Sequence, residues 1–261
     1  MWKHWDEKIE KEQRSLVVKS NDLIRHSRNA LSLQLFKTLH YMISKINKND
    51  EPSKEYIIDI QTFCKVANIN DESGKNYNSI KEALSNIDRM SVWVELLYDG
   101  IEKRVRWFDT LEINKQSGVI KYSFDKSIQP LLFNLDGNFT SYMLSNIITL
   151  KSRYAIQLYE MLKSYVGYKK SIKVSKKGLL DRLNAGNYKT TKDIKERILE
   201  HAKKEINDKT DIQITYSLTN EYGGRGYDTV SFFVRAKDNY EIEATNDKLF
   251  PELGYNWIDE R

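Results

Sequence analysis

The residues with the clearest potential for chemistry are cations and hydroxyls at the start of one segment, residues 187–207. They are Lys189, Thr190, Thr191, Lys192 and Lys195. A threonine hydroxyl at Thr190 or Thr191 can cap a helix by accepting a bond from an unpaired backbone N–H. Because a helix dipole places positive potential at the N-terminus, lysines there are unfavourable unless an anion shares the site. The cluster indicates a helix that faces phosphate; the alternative is an amphipathic helix whose lysines are only solvated.

An apolar stripe on the same segment supports the helix assignment. Ile194, Ile198, Ala202 and Ile206 recur every four residues, with Leu199 beside them. This spacing places them on one face of a helix, so the cations are predicted to lie away from the core.

Other reactive residue types do not form clusters. His4, His26, His40 and His201 are far apart, and the two on predicted helices, His40 and His201, are expected at the surface or partly packed. Cys64 is the only cysteine, which predicts a small buried hydrophobe rather than a zinc ligand. An endonuclease or nucleotidyl transferase would need clustered carboxylates or histidines, and no phosphate-binding loop of the ATPase type is present. We therefore expect no enzymatic activity, no metal and no cofactor.

Charge is distributed unevenly along the 261 residues. Residues 149–210 carry 16 Lys and Arg against 7 Asp and Glu, whereas residues 238–261 carry 2 against 7. A basic block predicts a polyanionic partner. The single cysteine predicts a reducing cytoplasm. The sequence has no long apolar run, so we expect no membrane span, and its N-terminus is too polar for a secretory signal.

The pattern of elements repeats at a spacing of about 115 residues. A long helix, a short strand, a short helix, a further helix and a hairpin occur in that order twice, which is typical of a winged helix. The predicted fold class is α+β, with two tandem winged-helix (helix-turn-helix) domains related by internal pseudo-symmetry. The alternative is two unrelated α+β domains. The predicted parts are an N-terminal arm, 1–14; a first winged-helix domain, 15–138; a second, 139–237; and an acidic C-terminal tail, 238–261.

A glycine-rich stretch, Gly223-Gly224-Arg225-Gly226, lies between two predicted strands of the second domain. This context predicts a hairpin tip rather than a nucleotide-binding loop. Arg225 at such a tip can enter a narrow minor groove, where a guanidinium is attracted. The alternative is a disordered polar turn.

The span from Val17 to Arg235 resembles the initiator (Rep) proteins of iteron-containing plasmids. The strings that carry the resemblance are Val18-Lys19-Ser20-Asn21-Asp22-Leu23-Ile24, Leu31-Ser32, Ser152-Arg153-Tyr154-Ala155-Ile156-Gln157-Leu158-Tyr159-Glu160, Ile194-Lys195-Glu196-Arg197-Ile198-Leu199, Lys204-Glu205-Ile206-Asn207 and Thr210-Asp211-Ile212. None is a catalytic signature, so the specificity of the resemblance comes from their order and spacing.

The resemblance implies a non-enzymatic initiator that binds repeated double-stranded origin sites (iterons) and assembles host replication proteins there. It also implies a homodimer, formed through the first domain, that represses its own promoter. A winged-helix transcriptional regulator without a replication role needs the same groove contacts and remains the alternative.

Carried over by position, the last helix of the second domain is the main reader of bases. Lys189, Thr190, Thr191, Lys192 and Lys195 are expected on phosphates, and Arg197 on a guanine. Further contacts to the backbone or bases are expected from the first domain, at Lys75, Asn76, Asn78 and Lys81. The aromatic ring of Tyr188 either touches the sugar-phosphate backbone or packs the turn before the helix.

Overall fold

The computed structural model describes residues 2–28, 30–69, 78, 80, 93–98, 101–114, 116–188, 190–223 and 226–250. The chain divides into two compact units, residues 1–148 and 149–261. Within the described part of the chain, every helix is too short or too polar to span a bilayer.

The first unit contains five described helices, eight strands and one 3-10 turn. They are α1 (Trp2–Gln13), β1 (Leu16–Ser20), α2 (Asn21–His26), β2 (Ser27–Arg28), α3 (Leu33–Ile43), β3 (Tyr56–Asp59), α4 (Ile60–Val66), β4 (Trp93–Tyr98), β5 (Ile101–Arg106), β6 (Phe108–Ile113), β7 (Val119–Phe124), a 3-10 turn (Gln129–Leu131), β8 (Phe139–Met143) and α5 (Ser145–Ile148).

The core of the first unit is built where α3 meets the antiparallel sheet β3-β7-β6. Met42 and Tyr122 are fully buried, and the Tyr122 hydroxyl donates to the Met42 carbonyl at 2.7 Å. The Tyr122 ring stacks on Tyr56 with centroids 5.4 Å apart. Full burial of such side chains stabilises a core by about 1.5–3 kcal/mol each. The single cysteine, Cys64, is buried, as its position on an apolar helix face predicted.

The sequence predicts that Ser20 or Asn21 caps a short helix and that Ser32 begins the first long helix, and hydrogen bonds in this unit confirm both helix starts. The Ser20 hydroxyl accepts from the Leu23 N–H and caps α2, and the Ser32 hydroxyl accepts from the Leu35 N–H and caps α3. Each bond satisfies a backbone donor that has no partner inside the helix.

Three sequence predictions for this unit are corrected by contacts between distant segments. The predicted arm, 1–14, contains helix α1, whose end packs on α4 because the Gln13 amide donates to the Val66 carbonyl at 2.9 Å. A salt bridge from Lys45 to Glu12 adds to this contact. The predicted boundary after residue 138 lies too early, since β8 pairs with β1 inside the first unit.

The sequence predicts a hairpin of residues 92–98 and 103–113, but the second of these runs is divided at Trp107, which is buried. On one side β5 pairs with β4, and on the other β6 pairs with β7. His40 is also buried rather than at the surface, and its Nδ1 lies 2.6 Å from the Phe36 carbonyl oxygen.

The second unit is a winged helix. Its elements are α6 (Arg153–Lys163), β9 (Ser171–Ser175), α7 (Lys176–Arg182), α8 (Thr191–Asp193), a π-helical turn (Ile194–Glu200), α9 (His201–Lys209), β10 (Ile212–Thr219), β11 (Thr229–Ala236) and α10 (Asn239–Leu249). The three strands form one antiparallel sheet in the order β10-β11-β9. The predicted acidic tail thus begins with an ordered helix, α10, which is capped by a reciprocal pair of bonds between Asp238 and Glu241.

Candidate nucleic-acid interface

The segment predicted to face phosphate forms one helical rod made of α8, the π-helical turn and α9; we call it the basic helix. Thr190 caps it, because its hydroxyl accepts from the Asp193 N–H at 3.0 Å. The predicted apolar stripe is buried in full at Ile194, Ile198, Leu199, Ala202 and Ile206.

The opposite face of the basic helix is open to solvent. The exposed residues near its start are Thr190, Thr191, Lys192, Lys195, Glu196 and Arg197. Five of them are predicted site residues, and the sixth, Glu196, lies among them. Residues 195–197 are consecutive and all exposed, so they form one continuous part of the outward face. Lys189 lies outside the described residues.

Two side chains of the basic helix fix its position against the rest of the unit. The Glu205 carboxylate is buried and accepts from the Lys151 and Ser152 N–H groups at 2.9 and 3.1 Å. These donors lie at the N-terminus of α6, where a negative charge is favourable. Asn207 exchanges two hydrogen bonds with Ile214 on the edge strand β10, at 3.0 and 2.7 Å.

The turn that leads into the basic helix is held by α6. The Arg153 guanidinium donates to the Asn184 carbonyl at 3.1 Å and lies over the Tyr154 ring, 4.8 Å from its centroid. Tyr154 in turn meets Tyr188 edge to face. Of the two roles considered for Tyr188, the structure supports packing of this turn.

Two polar contacts tie the remaining helices and strands of the unit together. The Asp211 carboxylate accepts from the Tyr159 hydroxyl at 2.8 Å and pairs with Lys163 at 2.5 Å. Burial lowers the pKa of the Arg182 guanidinium to about 10, an effect that the nearby Glu160 carboxylate opposes.

The end of the π-helical turn is joined to the sheet by an acidic side chain. The Tyr216 hydroxyl on β10 donates to Glu200 at 2.5 Å, and this bond lowers the pKa of the Glu200 carboxyl. Burial and the same bond raise the pKa of Tyr216. Glu200 therefore joins the end of the π-helical turn to the strand β10.

The loop between β10 and β11 is the wing, and its base is rigid. The Asp228 carboxylate accepts from the Glu221 and Tyr222 N–H groups at 3.0 and 2.8 Å, and these bonds hold the pKa of Asp228 below its ordinary value. Gly226 has a φ of +89°, and a Cβ there would lie 3.7 Å from the Thr191 hydroxyl. The wing base thus lies beside the start of the basic helix. Arg225, predicted at the tip, lies outside the described residues.

A second group of cations, which the sequence reasoning missed, adjoins the wing base. Lys173 on β9 pairs with Glu221 at 2.6 Å, and the Lys176 N–H donates to the Asp228 carbonyl at 2.6 Å. Lys177 is exposed next to them. The repeated lysines in residues 169–177 were a visible signal, but only the fold shows that they lie beside the wing.

Among the predicted contacts of the first unit, Asn78 is helical and exposed. Lys75, Asn76 and Lys81 lie outside the described residues. In the part of the chain that the structure describes, no group of three His, Cys, Asp or Glu side chains is arranged to hold a metal ion. The described surface with the strongest potential for binding is therefore the open face of the basic helix with the wing base.

Comparison with known proteins agrees with this architecture. The family model "Initiator Replication protein, WH1" matches residues 16–163, and "Initiator Rep protein, WH2" matches residues 175–233. No curated protein sequence is significantly similar to the chain.

The chain is also similar to solved structures. The Pi initiator protein, crystallised with iteron DNA, is 18% identical with a TM-score of 0.65, over 87% of this chain and 99% of that one. Domains 2 and 3 of RctB are 12% identical with a TM-score of 0.43, over 78% of this chain and 80% of that one. The WH1 domain of a replication protein isolated from a multiple sclerosis patient is 15% identical with a TM-score of 0.26, over 38% of this chain and 75% of that one. The likeness to the Pi protein supports two winged-helix units.

Proposed function

Because this chain belongs to the initiator Rep proteins with WH1 and WH2 domains, we propose that it starts plasmid replication by binding repeated double-stranded DNA sites, iterons, at an origin. It acts by binding, without catalysis. The solved relative bound to iteron DNA, the Pi initiator, supports the choice of ligand. The proposal places the protein in the cytoplasm, where it assembles host replication proteins at the origin, and a homodimer of the chain represses its own promoter.

One observation carries this proposal. The basic helix buries one apolar face completely and leaves Lys192, Lys195 and Arg197 exposed near its start. A helix presented in this way fits the major groove, whose width of about 12 Å admits an α-helix.

Separate roles follow from position on the basic helix. Thr191, Lys192 and Lys195 contact phosphates and set the register on the duplex, as does Lys189 before them. Arg197 reads a guanine through two parallel hydrogen bonds. The two kinds of contact affect different measured quantities, since phosphate contacts set the overall affinity for DNA and base contacts set the discrimination between DNA sequences.

The cations beside the wing base extend the same surface. Lys177 is exposed, so its side chain is suited to a phosphate of the flanking backbone. Arg225 at the wing tip is proposed for the adjacent minor groove. Asn78, with Lys75, Asn76 and Lys81, is proposed to bind the other half of the site through the first unit.

Footprinting on DNA that flanks the protein's own gene tests the function. Tandem protected repeats are expected for an initiator. A single protected palindrome, with no repeats, would instead support a winged-helix repressor without a replication role.

Binding titrations with variants test the surface. We expect Lys192→Ala and Lys177→Ala to weaken binding to every sequence and to reduce the slope of log K against log salt by about one each. Arg197→Ala should cost about 1–3 kcal/mol and relax discrimination at one base pair. Lys248→Ala on α10 removes an equal charge from an exposed position outside the proposed set of contacts and is the matched control. If it weakens binding as much as Lys192→Ala does, the interface is wrongly assigned.

A further inference from the structure

The first turns of the basic helix contain a chain of three polar side chains that ends on the proposed base reader. The Thr190 hydroxyl donates to Asp193 Oδ2 at 2.6 Å, and the Asp193 Oδ1 atom lies 3.1 Å from Arg197 Nε. Both oxygens of the Asp193 carboxylate are therefore occupied, one by the cap and one by the guanidinium.

This arrangement leaves the reading atoms of Arg197 available. The ion pair is formed at Nε, which leaves the two terminal Nη groups and their four N–H donors outside it. The Arg197 side chain is 68% exposed, and it forms no other ion pair with the described residues. Two Nη groups in a fixed plane match the O6 and N7 acceptors of guanine in the major groove.

The exposed pair adds little to the stability of the free protein, because water screens it and the helix spacing alone gives a weak contact. Its larger effect concerns binding. An arginine side chain loses rotamer freedom when it is fixed on a base, and prior fixing by Asp193 reduces that loss. The carboxylate also repels nearby phosphates, so it lowers the affinity for DNA of any sequence.

We propose that Asp193 is a positioning residue for specificity: it orients the Arg197 guanidinium for base reading at the expense of general affinity. The inference rests on the proposed function, in which the basic helix enters the major groove. The simpler role for Asp193 is an acidic residue in the first turn that only supports the helix end.

The two roles predict different results for discrimination. If Asp193 only supports the helix, Asp193→Ala leaves the ratio of specific to non-specific affinity unchanged. If it positions Arg197, the same variant lowers this ratio by about 3- to 10-fold, whereas the loss of a negative charge near phosphate raises non-specific affinity by about 2- to 5-fold under either role.

The experiment is a double-mutant cycle with Asp193→Ala, Arg197→Ala and the double variant, measured on the footprinted site and on duplexes with each of its guanines replaced. We expect Asp193→Ala to reduce discrimination at the guanine read by Arg197 and to have no further effect on discrimination in the Arg197→Ala background. Asp193→Asn keeps an acceptor for Nε and should retain part of the discrimination.

Glu196→Ala is the matched control, since it removes an exposed carboxylate from the same face without touching Arg197. It should raise general affinity and leave discrimination unchanged. Unchanged discrimination in Asp193→Ala, or an equal loss in the Arg197→Ala background, would overturn the positioning role while leaving the proposed function intact. A wild-type chain that protects no site would overturn both.

Discussion

The two hydrogen bonds between Asn207 and Ile214 predict that the Asn207 side chain orients the basic helix. Asn207→Ala removes two hydrogen bonds to the backbone of β10, an edge strand whose Ile214 is buried. Neutral bonds of this kind contribute about 1 kcal/mol each, and an N–H and a C=O left without partners add to the loss. We therefore expect a cost of about 2–3 kcal/mol, or a fall in melting temperature of roughly 10 °C or more for a unit of this size.

Native-state hydrogen exchange measures this change where it occurs. The Ile214 amide loses its acceptor in Asn207→Ala, so its exchange rate should rise by about 30-fold or more, which corresponds to roughly 2 kcal/mol. The control is Asp208→Ala, which alters the next residue at an exposed position and should change stability by no more than about 0.5 kcal/mol. If Asn207→Ala matches this control, the side chain does not hold the helix to the strand, and our account of how the basic helix is positioned is wrong.

Three other contacts give predictions that can be measured on the same protein. The Arg235 guanidinium holds the pKa of Glu241 at about 2, so the contribution of this pair to folding stability is complete above about pH 4.5 and is lost as the pH falls from there towards 2. Helix content measured by circular dichroism should fall over this pH window, and it should fall less in Glu241→Gln. Gly226→Ala forces an alanine into a left-handed φ and should cost about 1–2 kcal/mol in urea unfolding, whereas Gly186→Ala, at an open site without positive φ, should not. Glu205→Gln keeps an acceptor for the N-terminus of α6 but loses the charge, so thermal unfolding should show a loss of about 1 kcal/mol.

The features that sequence predicted correctly depend on local chemistry. The caps at Ser20, Ser32 and Thr190 each need only a hydroxyl three residues before a backbone N–H, and such a signal can be read directly from the chain. The buried stripe of the basic helix follows in the same way from a period of four residues. The exposed cations on its other face follow from the same periodicity, whereas their contacts with DNA stay a prediction.

The features that sequence missed depend on pairing between distant segments. Nothing near residue 139 indicates that β8 will pair with β1, about 120 residues earlier, and so extend the first unit. Nothing near Trp107 shows that one β-rich run will divide between two sheets. The helix at the N-terminus is polar enough to predict an arm, and contacts from Gln13 to Val66 and from Glu12 to Lys45 hold its end to the fold. Such errors are expected wherever a tertiary contact decides a local structure.

The sequence strings that carry the family resemblance contain two kinds of residue, which differ in their contacts in the structure. The side chains of Arg153, Glu205 and Asn207 form hydrogen bonds with backbone groups of the same unit, so they fix the angle at which the basic helix is presented. Lys195 and Arg197 belong to the same strings but lie in solvent, where packing does not constrain their identity. Family membership can therefore be recognised from residues whose polar atoms bond within the protein, and our proposal assigns the choice of DNA site to the exposed ones. It follows that exchange of the exposed residues alone should redirect binding to another site without a measurable loss of stability, because none of them contributes to the core.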